Sequence, residues 1–249
     1  VAATEAAQLP PVRVICPDVV GRGRSDWLPD PMGYQFPQYA SDMAVLIQSL
    51  NSQHPVQRLD WVGTSMGGVI GMLLAAQPLP TPVQNLVLND IGPVVCWSSI
   101  LNMKTYVGEV GKFQTVQDAA NAMWEISKSF GPHTPEEWLA LSQHMVKRLD
   151  DGTYSLHYDP ALRVPIRAVT QEQAQAGEAA LWQVYDAIQC NTFLIHGAQS
   201  ELLSLAAVHE MQQRGPRVKV ATVQGVGHAP TLTHPDQIDI VRQFLGLHA

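Results

Sequence analysis

The chain is 249 residues long, 46% hydrophobic and 15% charged, enough to bury a sizeable core as one α/β domain with an insertion or as two small ones. Its formal net charge of −7, with no basic run, argues against a nucleic-acid surface and favours small-molecule partners. The longest apolar stretches fall short of the ~20 residues a membrane-spanning helix needs, and no secretory leader pattern is visible. Three cysteines, Cys16, Cys96 and Cys190, have neither metal-type nor redox-type spacing, which predicts reduced thiols in a cytoplasmic protein.

The chain opens VAATEAAQLPP, without an initiator Met. Residues 12–16 form a β-branched run and predict a buried strand, followed by a Gly-rich turn at 21–26. Gly21 and Gly23 lack the third glycine and the Lys-Ser/Thr pair that would make a nucleotide loop. Residues 39–50 carry apolar side chains at helical spacing and predict an amphipathic helix.

Residues 59–68, LDWVGTSMGG, read as strand, tight turn and helix. The G-x-S-x-G spacing needs small residues two positions either side of Ser65, because side chains there would meet neighbouring backbone. Such a turn lifts the Ser65 hydroxyl out of the sheet and aims the Met66 N–H and the helix N-terminus at one point, which suits a developing oxyanion. Prolines at 78, 80 and 82 stop the helix, and residues 83–88 read as the next strand. This alternation implies parallel strands joined by right-handed crossovers.

Between residues 94 and 177 the rhythm changes to helical stretches around 116–130 and 135–149, with one possible strand at 154–158; another helical stretch follows at 178–188. The predicted division is core at 1–93, a mainly helical cap at 94–177, and core again at 178–249. The sheet resumes at 192–195 and 218–223, and helices are predicted at 201–211 and 235–247.

A serine hydroxyl needs a base beside it, and the base needs an acid to orient it. His228, in Gly225-Val226-Gly227-His228 after the last strand, is the predicted base; His234 precedes a helix and His196 follows a strand, where each suits a local role better. For the acid, Glu201 follows the strand at 192–195 and is the first choice. Asp90, at the end of the strand at 83–88, is the alternative. No His-x-x-x-His or His/Cys cluster suggests a metal, and no cofactor is predicted. Oligomeric state is not encoded in any feature of the sequence.

Pro17-Asp18-x-x-Gly21-x-Gly23-x-Ser25, the Gly-Thr-Ser65-Met-Gly-Gly turn, Leu88-Asn89-Asp90-Ile91-Gly92-Pro93 and Gly227-His228 together resemble the α/β-hydrolase fold superfamily, and more narrowly its bacterial esterases and carbon–carbon-bond hydrolases. The resemblance implies a mostly parallel sheet flanked by helices, a helical cap, and Ser65, His228 and an acid as a catalytic triad, with Met66 donating to the oxyanion. The family usually carries Asp where this chain has Glu201. It also begins with strands and a His-Gly loop that supplies a second oxyanion donor; these are expected to precede Val1, over about 30 to 50 residues. A serine at the turn excludes the alkyl-enzyme chemistry of relatives that place Asp there.

Ester hydrolysis through an acyl-enzyme is therefore the expected activity. The alternatives are carbon–carbon hydrolysis, needing a cationic carboxylate clamp for which Arg163 and Arg167 are available, and a catalytically silent ligand-binding protein. Trp97, Met103, Tyr106, Phe113, Met123 and Trp124 are the predicted apolar lining of the cap.

Overall fold

The computed structural model describes residues 12–247. Among the described residues, four parallel strands form the central sheet in the order β1 (Leu59–Thr64), β2 (Val83–Asn89), β5 (Asn191–Gly197) and β6 (Lys219–Val223). Strands covered on both faces carry consecutive apolar residues rather than alternating ones, as do Leu86-Val87-Leu88 in β2 and Phe193-Leu194-Ile195 in β5. Their side chains alternate between two layers. Leu86, Leu88 and Leu194 join the larger core with helices α1 (Phe36–Gln53), α2 (Met66–Ala75), α7 (Gln171–Asp186) and α8 (Leu205–Gln213). Val87, Ile195 and Val223 point the other way, onto α9 (Pro235–Leu245).

Helix α2 is buried along Gly68–Leu74 apart from Leu73, which explains its lack of a polar stripe. It lies close to the sheet because Gly71 faces the Trp61 indole; a Cβ there would meet that ring.

Between β2 and β5 the chain leaves the sheet for some hundred residues. It forms α3 (Trp97–Tyr106), α4 (Val116–Ser127), α5 (Pro135–Ser142), an antiparallel pair β3 (Val146–Arg148) and β4 (Tyr154–Leu156), and α6 (Arg163–Ala168), before α7 returns to the core. Thr115 and Thr134 start α4 and α5 with capping boxes, each hydroxyl accepting from the third helical N–H while the Asp118 or Glu137 carboxylate accepts from the cap N–H. The segment has its own apolar cluster around Ala120, Met123, Trp138 and Leu156.

Several expectations are corrected here. Residues 12–16 form no strand; residues 12–18 run exposed, and no partner strand adjoins them among the described residues. An apolar run without a neighbouring ladder cannot satisfy its backbone as a sheet does. The helical stretch predicted over 135–149 ends at Ser142, and residues 146–148 instead form strand β3 by pairing with β4; helix α3 and helix α6 are additions to the sequence reading. The helix predicted from 201 begins only at Leu205, where the Ser204 hydroxyl accepts from the Ala207 N–H, leaving Glu201 in the preceding loop.

Candidate active site

Ser65 sits between β1 and α2 with φ 50° and ψ −118°, a conformation that costs a non-glycine residue roughly 1–3 kcal/mol. The surrounding turn must hold it there. A Cβ on Gly63 would collide with the backbone of Gly67 and Gly68, and one on Gly68 would collide with Ile91. Gly67 differs from expectation: a Cβ there meets open space among the described residues. The tight position on the helical side is therefore Gly68. Met66 is the first residue of α2, so its N–H has no intrahelical acceptor and remains available beside the serine.

The Ser65 hydroxyl lies 2.9 Å from His228 Nε2, and His228 Nδ1 lies 2.9 Å from Asp90 Oδ2. With the Nδ1 proton donated to the carboxylate, Nε2 is left as the acceptor for the serine proton. Asp90 is fully buried. Its carboxylate also accepts from the Gly197 N–H at 2.8 Å and from the Ser200 hydroxyl at 2.6 Å, so neighbouring donors replace the water it lost. Its backbone takes φ 53°, a region that Asp tolerates better than most side chains.

The contact to His228 is made by Asp90, the alternative acid of the sequence reading, and not by the first choice. Glu201 is exposed, and it is Asp90 that meets the imidazole. The reason is the path of the β5–α8 loop: Ser200, one residue earlier, turns in and spends its hydroxyl on Asp90, and Leu202 and Leu203 bury themselves next. Glu201 is left on the opposite side of this turn, its carbonyl accepting from the Ser99 hydroxyl at 2.9 Å. Ser200 was not picked out by the sequence reading, and a serine beside a loop acid carries no distinctive pattern.

The loop carrying His228 is pinned from two directions. Asn89 Nδ2 donates to the Thr64 hydroxyl at 2.9 Å and to the Pro230 carbonyl at 2.7 Å. From the long segment between β2 and β5, the Ser129 hydroxyl donates to the His228 carbonyl at 2.9 Å, and the Gly227 N–H donates to the Ser129 carbonyl at 2.6 Å.

His234 instead stands beside His133, ring centroids 5.1 Å apart. Buried His196 bonds through Nε2 to the Leu203 carbonyl. Among the described residues no group of three His, Cys, Asp or Glu side chains is placed to hold a metal ion.

A cleft of about 440 Å³ opens over Ser65 and His228. Of the six predicted lining residues only Met103 and Tyr106 reach it; Met123, Trp124 and Phe113 pack in the separate cluster of the inserted segment, and Trp97 lies under Lys104. The apolar wall is completed by Ile126, Phe130, Leu141, Met145 and Leu202, while Ser99, Asn102, Ser127, Ser129, Glu201 and Thr231 supply polar groups. Burial pushes the Tyr106 phenol above its usual range, so it stays a neutral hydroxyl. Arg163 and Arg167 do not line the cleft, and Arg167 pairs with Glu109 at 3.0 Å.

A parallel sheet with a strained serine at a strand-to-helix turn, and an imidazole delivered from beyond the last strand, defines an α/β hydrolase. The chain belongs to the alpha/beta hydrolase fold family, whose model matches residues 6–235. It is 48% identical over 235 residues to the 3-hydroxybutyrate-oligomer hydrolase of Cupriavidus necator, a match covering 93% of this chain and 78% of the relative. Among solved structures, an alpha/beta hydrolase from Novosphingobium aromaticivorans superposes with a TM-score of 0.77 at 32% identity, covering 93% of this chain and 79% of that one. An esterase from Mycobacterium tuberculosis shares the fold, with a TM-score of 0.70 at 23% identity, covering 92% and 74%. No helix among the described residues is long and apolar enough to cross a membrane.

Proposed function

We propose that the protein hydrolyses a small carboxylic ester, of the short hydroxyacid-oligomer kind, through an acyl-enzyme on Ser65. The observation that carries this reading is the continuous chain of contacts from buried Asp90 through His228 to Ser65 at the floor of a largely apolar cleft. Ser65 Oγ attacks the ester carbonyl as His228 Nε2 takes its proton, and the Met66 N–H donates to the oxyanion. His228 then protonates the departing alcohol. Water, giving its proton to the same nitrogen, attacks the acyl-serine, and His228 passes that proton to Ser65 Oγ as the acid is released. Asp90 keeps the imidazole in the required tautomer and stabilises the imidazolium.

The substrate class is supported by the name of the Cupriavidus necator relative and by a cleft whose wall is apolar with scattered hydroxyl and amide groups. Residues 94–177 act as a cap in this scheme, supplying Met103, Tyr106, Ile126, Phe130 and Met145 to the cleft and bracing the His228 loop through Ser129. A carbon–carbon hydrolase reading finds less support, because neither arginine available for a carboxylate clamp is at the site. Free thiols at Cys16, Cys96 and Cys190 suit a reducing, cytoplasmic setting.

The test is hydrolysis of 3-hydroxybutyrate dimer and trimer and of p-nitrophenyl butyrate by the purified protein and by Ser65→Ala. Loss of all three activities in the variant is expected. Hydrolysis surviving Ser65→Ala would overturn the mechanism, and cleavage of p-nitrophenyl butyrate without either oligomer would overturn the substrate class.

A further inference from the structure

Glu201 is left without its predicted partner, yet it lines the cleft over Ser65. Its position is held: the Ser99 hydroxyl donates to its carbonyl, Ser200 before it is tied to Asp90, and Leu202 after it is buried. No salt bridge reaches its carboxylate among the described residues. Among the described residues no Lys or Arg lines the cleft, and Glu201 is the one Asp or Glu that does.

An unpaired carboxylate in a cleft with apolar walls acts at short range on whatever enters. It accepts hydrogen bonds from hydroxyl groups and repels a second carboxylate, with no Lys or Arg among the described lining residues to offset the repulsion. We propose that Glu201 is a specificity-determining residue, admitting uncharged or hydroxyl-terminated acyl groups and turning away acyl groups that end in a carboxylate. This rests on the ester hydrolase reading above. A hydroxyacid oligomer has one hydroxyl end and one carboxylate end, so it enters with the hydroxyl end in the cleft and the carboxylate end in solvent.

The test compares mono-p-nitrophenyl adipate with its methyl ester, which has nearly the same shape and no charge, at low ionic strength. The readout is the ratio of kcat/KM for the acid to that for the methyl ester. Any influence of Glu201 on folding, or on the oxyanion common to both reactions, cancels in this ratio. Wild type is expected to favour the methyl ester. Glu201→Gln raises the ratio about three- to tenfold, and the gain shrinks at molar salt, where the Debye length falls to about 3 Å. Glu201→Asp keeps the ratio low. A ratio unmoved by Glu201→Gln overturns the proposal while leaving the hydrolase reading intact. Failure of the wild type to cleave either ester in a Ser65-dependent way overturns the hydrolase reading, and the selector with it.

Discussion

Replacing Asp90 with Asn is the perturbation that separates the two carboxylates most cleanly. In the native arrangement one Asp90 oxygen accepts from the Gly197 N–H, and the other accepts from the Ser200 hydroxyl and from His228 Nδ1–H. An Asn that keeps its carbonyl oxygen on the Gly197 N–H turns its NH₂ toward Ser200 and His228. Two donors then face each other across the 2.9 Å gap to Nδ1. The imidazole escapes by switching tautomer, so that Nδ1 accepts and Nε2 carries the proton. Nε2 can then no longer take the proton from Ser65, although no heavy atom has moved far. A wrong tautomer of this kind lowers turnover by about 10⁴, equivalent to about 5 kcal/mol of transition-state stabilisation. The assay is p-nitrophenyl butyrate hydrolysis at neutral pH, with near-UV circular dichroism to check that the buried substitution has left the fold intact. Glu201→Gln, assayed alongside, falls by less than tenfold. A folded Asp90→Asn protein within tenfold of wild type, or a thousandfold loss in Glu201→Gln, would refute the assignment of Asp90.

Ser200→Ala removes one donor to the buried carboxylate; a hydrogen bond to a charged group is worth about 1.5–3 kcal/mol, so kcat is expected to fall roughly tenfold or more, and wild-type turnover in this variant would show that Ser200 does not support Asp90. Gly63→Ala and Gly67→Ala should diverge in thermal melts. The first forces a Cβ into backbone, at a cost of about 1–3 kcal/mol and some 2–4 °C of Tm per kcal/mol, whereas the second enters open space and gains helix propensity; equal shifts would contradict the geometry of the turn. Tyr34 donates to Asp159 at 2.6 Å, and its pKa is pushed up to about 12 by burial and by that carboxylate. Because the folded value lies above the unfolded one of ~10, the stabilisation is fully present below pH 10 and is lost as pH rises to about 12. Tyr34→Phe should therefore flatten alkaline unfolding over that interval, and an unchanged profile would rule this phenol out as its source.

Much of the fold is local information, and so it was legible along the chain. The turn at Ser65, the parallel strands at β2 and β5, helix α1 and the terminal helix α9 follow from apolar periodicity and from Gly and Pro punctuation. Each of these signals lies within a window of a dozen residues. The position of His228 was legible for a related reason: a glycine-flanked histidine just beyond the last strand must emerge at the same edge of the sheet as Ser65.

The identity of the carboxylate meeting His228 was not legible in this way. Asp90 and Glu201 both follow parallel strands, and both occupy loops at the same sheet edge. Pattern alone admits both and puts Glu201 first. The outcome depends on a difference of one residue in how the β5–α8 loop turns, which brings the Ser200 hydroxyl to Asp90 and carries Glu201 to the cleft wall. The cleft lining shows the same limit, since Phe113, Met123 and Trp124 have the size and apolarity to line a cleft but pack in the Trp138 cluster without reaching it, whereas Phe130 and Leu141 of that cluster do. What the sequence determined by itself was the strand–turn–helix at Ser65, the parallel strands β2 and β5, helices α1 and α9, and the placing of Ser65 and His228 at one sheet edge, because those depend on near neighbours. Only the tertiary structure decided which carboxylate meets the histidine and which apolar groups face the cleft, because the Asp90–His228 contact joins residues 138 positions apart and its geometry depends on the packing of the whole domain.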